Sequence, residues 1–219
     1  MIIWRNKVTN GILLGISSTN NQVKQIIISE NIISYSYTDI ANPYAIMGRN
    51  AQDCIINNNF CSGYNAIYSL NNSHICNNVF PTISTLSVCI VENNFFFNSS
   101  IYGTGDIGTC SNCSFNNNAF TGNFTFPFFS NNGSNNLMNQ TTTNTFVVND
   151  LSFPKNLKIK EGSPCKNAGT DGTDIGIYGG STPYRSIPLN PHIDKAIIGS
   201  QTDKDGKLNV NIQVSAQTR

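Results

Sequence analysis

The sequence predicts an all-β chain wound as a parallel solenoid. Three observations carry this: a short phrase that recurs between about Ile26 and Phe120, a column of Asn inside it, and an almost uncharged composition. The phrase reads apolar-x-apolar-x-polar-Asn-x-apolar. Its copies are Ile26–Ile33, Asp53–Phe60, Ser73–Phe80, Cys89–Phe96 and Cys113–Phe120. Aligned on the closing apolar residue, Ile28, Ile55, Ile75, Val91 and Phe115 fall in one column. Asn31, Asn58, Asn78, Asn94 and Asn118 fall in a second, and Ile33, Phe60, Phe80, Phe96 and Phe120 in a third.

Each part of the phrase has a physical reading. Alternating apolar residues mark a strand, because successive side chains point to opposite faces. Asn tolerates the left-handed backbone of a sharp bend. The apolar residue two places later starts the next short strand. Coils stacked about 4.8 Å apart place each Asn over the last, so their amides can form a ladder and the Phe column can stack as a core. The Asn positions step by 27, 20, 16 and 24 residues, near the periods of solenoid repeats. The step of 16 implies a tight coil or a misassigned copy. The competing arrangement is a set of antiparallel hairpins with Asn-rich turns, which would favour Asn-Gly pairs that are scarce here.

Composition bounds function. Of 219 residues only 11% are charged, and the net charge is +1. This balance gives no electrostatic footprint for nucleic acid or an anionic membrane. About one residue in six is Asn, far above average usage. No membrane-spanning run and no signal peptide are expected. The start already reads as strand material with no polar cap, which points to missing N-terminal coils or to a preceding domain or chain that covers the first coil. The seven Cys include Cys110 and Cys113 as a CxxC, with no further ligands for zinc or redox work. Cys89 and Cys113 are expected inward, Cys54 and Cys76 outward, as small hydrophobes rather than a disulfide framework. Whether Cys110 and Cys113 pair stays open.

Along the chain, residues 1–25 are expected to hold one or two strands, with turns at Gly11–Gly15 and Ser17–Gln22. The loop Tyr35–Asn50 gathers Tyr35, Tyr37, Asp39, Tyr44 and Arg49, aromatics beside charge of the kind that holds sugars. Further loops carry Tyr64, Tyr68, His74 and Asp106. Phe124–Phe129 is either an inward corner or an exposed patch. Phe146–Val148 and Leu157–Ile159 read as strands.

After them comes Gly162-Ser-Pro-Cys-Lys-Asn-Ala-Gly169, then Asp174-Ile-Gly-Ile-Tyr-Gly-Gly180. Over about Asn156–Tyr184 this resembles the terminal segment of secreted right-handed parallel β-helix proteins, with the pectate-lyase-like superfold, of Bacteroidetes-type bacteria. The resemblance implies a right-handed parallel β-helix over residues 1–184. A final strand, a "GSPxxNAG" turn and a "DIGAYGG"-like strand would close it. It also implies a secreted or cell-surface location. Residues 185–219 change character: a Pro-rich connector, then two alternating strands, Ala196–Ser200 and Leu208–Ser215, joined by a turn at Asp203–Gly206.

A polysaccharide hydrolase on such a fold needs paired carboxylates. A lyase needs a base beside calcium held by several acids. Between Ile26 and Asn149 the acids are only Glu30, Asp39, Asp53, Glu92 and Asp106, and Arg49 is the only Lys or Arg. No catalytic residue, metal ligand or cofactor is therefore assigned. Arg49, Asp53, Tyr44 and His74 form the candidate substrate-binding set. Two functions follow: a non-catalytic module that adheres to or weakly binds polysaccharide along its side, or the C-terminal portion of a polysaccharide lyase or glycoside hydrolase.

Overall fold

The computed structural model describes residues 1–15, 23–34, 44–63, 66–98, 107–123, 125–151, 157–185 and 192–215. The expected turn at Ser17–Gln22 and the loop residues Tyr35, Tyr37, Asp39, Tyr64 and Asp106 lie outside them, as do Phe124 and most of the Pro-rich connector. The chain divides into two compact units, Met1–Tyr184 and Arg185–Arg219.

The first unit is a parallel β-helix. Strands cycle through three sheets, each joined only by parallel pairs. Sheet A stacks Ile2–Trp4, Ile27–Ser29, Ile55–Asn57, His74–Cys76, Ile90–Glu92, Ser114–Asn116 and Asn132–Ser134. Sheet B stacks Lys7–Thr9, Ile32–Ser34, Phe60–Ser62, Val79–Phe80, Phe95–Phe96 and Ala119–Phe120. Sheet C stacks Ile12–Leu13, Ile46–Gln52, Ile67–Asn71 and Ile83–Ser84. The first 15 residues thus complete a coil, one strand in each sheet.

Inside, Ile28, Ile56, Ile75, Val91 and Phe115 form a column in register. Beside it runs Ile33, Cys61, Phe80, Phe96 and Phe120. Phe96 lies between Phe80 and Phe120, with ring centroids at 4.8 and 4.4 Å. Near the last coil, Gly133 leaves a space that the Phe126 ring fills: a Cβ there would come within 2.5 Å of it. Phe126 also stacks on Phe115. So Phe126 packs inward, whereas Phe129 is exposed.

One copy of the phrase departs from the sequence alignment. Ile55 points outward and Ile56 takes the inner column; Phe60 faces outward and Cys61 takes the inner position. Asn58 is not in the ladder; Asn59 is. The side-chain period is two, so a slip of one residue moves every side chain to the opposite face. The run Asn57-Asn58-Asn59 allows both registers locally. Packing decides: Cys54 falls into the buried column of Cys89 and Cys113, correcting its expected outward position, and Phe60 joins Val79, Phe95 and Ala119 in a second core.

The ladder runs Asn6, Asn31, Asn59, Asn78, Asn94, Asn118 and Asn136. Consecutive Nδ2–Oδ1 distances are 2.9 to 3.2 Å. Each Nδ2 from Asn31 to Asn94 also donates to the carbonyl two residues back. From Asn31 to Asn118 the steps are 28, 19, 16 and 24 residues, so the 16-residue coil is real. The bend itself belongs to the preceding residue: Asn58, Asn77, Asn93 and Asn117 have φ of 54, 55, 58 and 51°. Two duties that the sequence reading gave to one Asn are split between neighbours.

A second, mixed ladder stands at the other end of sheet A. The Cys54 N–H donates to Ser73 Oγ, the Cys89 N–H to Cys113 Sγ and the Cys113 N–H to Asn131 Oδ1. The four short side chains donate back to the carbonyls of Gln52, Asn71, Ser87 and Ser111. All seven cysteines are free, Cys110 and Cys113 included.

The segment expected to close the helix as a final strand does something else. After the one-turn helix Thr142–Thr145, capped by Thr141, and an antiparallel bridge Phe146–Ile159, residues 160–184 hold no strand. They run back along the coils as a strap. The Asn117 amide donates to the Ala168 carbonyl. Asn93 exchanges hydrogen bonds with Thr170, and the Asn58 amide donates to the Ile177 and Gly179 carbonyls. Phe146, Leu157, Ile159, Cys165, Ile175 and Ile177 bury the outward face of sheet B. The turns of GSPCKNAG and DIGIYGG serve this path: Asp174 accepts from the Asn167 N–H and the Lys166 ammonium.

The second unit is the antiparallel hairpin His192–Thr202 with Leu208–Ser215. Its first strand is longer than the sequence suggested. Asp203 Oδ1 accepts the N–H groups of Asp205 and Lys207 and so holds the turn.

Candidate functional site

Three of the four candidate binding residues lie in or beside the sheet C strand Ile46–Gln52, and His74 lies on sheet A. Tyr44 precedes the sheet C strand Ile46–Gln52 and stacks on Tyr68, centroids 4.4 Å apart. Burial raises its hydroxyl pKa, a hydrogen bond with Ser84 opposes this, and Tyr68 adds to it. Arg49 lies in the same strand, its Nε 3.4 Å from Met47 Sδ. Asp53 is a left-handed corner (φ 55°) whose Oδ1 accepts from Asn72. It is not in the apolar column. His74 is on the outward face of sheet A, its Nε2 2.8 Å from Glu92 Oε1.

His74 leads to a broad face in the first unit that joins polar chemistry to exposed apolar surface. The pleat sends alternate residues of each sheet A strand outward, in two ranks. One rank is Ile2, Ile27, Ile55, His74, Ile90, Ser114 and Asn132. The other is Trp4, Ser29, Asn57, Cys76, Glu92, Asn116 and Ser134. Ile55 is 41% exposed and Ile90 50% exposed, on either side of His74. The His74–Glu92 bond is a diagonal: it leaves the apolar rank and reaches the polar one a coil further on. Sequence reading had Glu92 among the acids but no reason to join it to His74. Their shared orientation, two residues apart in register, was the available signal.

The polar rank is internally bonded. Ser134 Oγ donates to Asn116 Oδ1, and Asn116 Nδ2 reaches Ser114 Oγ at 3.0 Å. Near the first coil, Trp4 Nε1 and Arg5 Nε both donate to Glu30, a carboxylate only 6% exposed, and the Arg5 guanidinium lies 4.5 Å from the Trp4 ring centroid. The strap borders this rank: Thr182 reaches Asn57, and Asp171 lies close enough to act on Cys76.

Chemically, the face can bind and exchange protons. Burial first, then the Glu92 and Asp171 carboxylates, push the Cys76 thiol up to about 12. At neutral pH Cys76 is therefore a thiol rather than a nucleophilic thiolate. Among the described residues no three His, Cys, Asp or Glu side chains are arranged to hold a metal ion, and no helix is long and apolar enough to cross a membrane. Comparison of the chain with known protein families, curated proteins and solved structures finds no match.

Proposed function

We propose that the chain is a non-catalytic β-helix module of a secreted or cell-surface protein, of the right-handed kind its closing motif resembles, and that it binds polysaccharide along the outward face of sheet A. The observation that carries this reading is the exposed Ile55–His74–Ile90 rank beside the polar Asn57–Cys76–Glu92 rank. Apolar sugar faces pack on Ile, and hydroxyls exchange hydrogen bonds with Asn, His and Glu. Because both ranks continue from coil to coil at the strand spacing, a linear polymer lying along the stack meets an outward side chain of each rank at every coil.

The His74–Glu92 pair favours a second reading, the C-terminal portion of a polysaccharide-cleaving enzyme, since a solvent-facing imidazole on a carboxylate can move protons. A panel of plant and microbial polysaccharides, with and without calcium, separates the two. Retention of the protein on a polysaccharide with no new reducing or unsaturated ends supports the module. Release of such ends, lost in Glu92→Gln, supports the enzyme.

A further inference from the structure

The hairpin unit carries an apolar face too regular to be incidental. In Leu208–Ser215, Leu208, Val210, Ile212 and Val214 alternate strictly with Asn209, Asn211, Gln213 and Ser215. Cross-strand partners share a face. Ile198 pairs Val210, Ala196 pairs Ile212 and Ile193 pairs Val214, so all six lie with Leu208 on one side. Simple alternation back from Ile198 through Ala196 would put position 194, an Asp, on that side. A register shift between Ile193 and Lys195 puts Ile193 there instead, the use to which β-bulges are put when a side chain must be re-aimed. The shift thus sets Ile193 on the same side as Val214, Ala196 and Ile198.

Among the described residues of this unit nothing covers it. Ile193, Ile198, Leu208, Val210, Ile212 and Val214 are each 47 to 62% exposed. A two-stranded hairpin alone is marginal in water and needs its apolar face packed. We infer that this face is the seat of a second copy of the same chain, two hairpins packing apolar face to apolar face about a two-fold axis. The face favours its own copy because it presents only aliphatic groups around Thr202. Its described side chains carry no charge, so they set up no like-charge repulsion between two copies. The size fits: six half-exposed aliphatic side chains leave on the order of 500 Å² per face. Two faces together therefore bury about 1,000 Å², the lower bound for a specific interface. The pairing is isologous, so it closes at a dimer.

Sedimentation equilibrium of the full chain across a concentration series tests this. A monomer–dimer equilibrium is expected, with dimer dissociation at least tenfold easier in Ile212→Lys. In Asn211→Lys, on the opposite side of the same strand, dimerisation is expected unchanged. The thermal melt of the solenoid serves as the control for folding in each variant. A chain that stays monomeric at every concentration overturns the inference, as does equal weakening of the dimer by the two variants.

Discussion

Sheets A and B are built alike, yet their outward faces meet different fates within the first unit. Sheet B turns Phe60, Val79, Phe95 and Ala119 outward, and the strap buries all four. Sheet A turns Ile2, Ile55 and Ile90 outward, and they are exposed. The strap covers one apolar face, and among the described residues of the first unit the other is bordered but not covered. An exposed apolar rank edged by hydrogen-bonding side chains is what a binding surface needs. The contrast, more than any single residue, directs the functional reading to sheet A.

The sharpest way to test the contrast is to truncate outward residues on both sheets. Phe95→Ala, which loses an edge contact at 4.7 Å with Phe146 beneath the strap, is expected to destabilise by about 3–5 kcal/mol in denaturant melts. Its inward neighbour Phe96→Ala should cost a similar amount. Ile90→Ala on sheet A should change stability by less than about 0.5 kcal/mol, as at ordinary surface positions. If Phe95→Ala were as mild as Ile90→Ala, the strap would not be a core element.

A smaller effect separates ladder from corner. Asn59→Ala removes a buried amide from the ladder, and about 1–3 kcal/mol is expected, with Asn94→Ala similar. Asn58→Gly keeps the left-handed corner, which glycine adopts freely, and loses the two bonds to the strap and the one accepted from Asn57 Nδ2. It should cost less than Asn59→Ala; the reverse order would restore the alignment on Phe60.

Thiol chemistry reads the same register with no mutation. Cys76 alone is partly exposed, and the other six cysteines are buried. Native alkylation near pH 8 should modify Cys76, slowly because its pKa is raised to about 12, and spare Cys54. Modification of Cys54 at a comparable rate would place it outward.

The smallest effect concerns the strap's acid limb. Burial alone would raise the Asp171 carboxyl, but the Thr173 hydroxyl and N–H and its own N–H hold it below its ordinary value of 3.8. A depressed folded-state pKa stabilises above the unfolded value, and that contribution fades as pH falls through the folded one. Asp171→Asn should therefore slightly flatten the loss of stability below about pH 4, seen as a smaller drop in Tm on acidification.

The coils were legible in the sequence because each layer repeats the same task, so Ile28, Ile75, Val91 and Phe115 announce one another. The Asp53–Phe60 copy was read one residue out because three consecutive Asn satisfy either register, and packing, with Cys54 inside and Phe60 under the strap, breaks the tie. The strap itself was legible as a motif but not as a path. Its residues do single jobs, such as Asn93 holding Thr170, and no periodicity marks a contact made across 77 residues. Of the candidate binding residues, His74 alternates outward along the chain, but its partner Glu92 lies on the next coil, beyond any local pattern. Tyr44, Arg49 and Asp53 were grouped by proximity along the chain and do lie in or beside one sheet C strand, but His74 stands on a different sheet.

The central claim is that the open face of sheet A holds a polysaccharide. The direct measurement is affinity electrophoresis on the polysaccharide that retains the native chain, comparing it with the double variant Ile55→Ala/Ile90→Ala and with Tyr44→Ala on sheet C. Retardation should be lost in the sheet A variant, whose melt stays native-like, and kept in the sheet C variant. Undiminished retardation of the Ile55→Ala/Ile90→Ala protein would contradict the account.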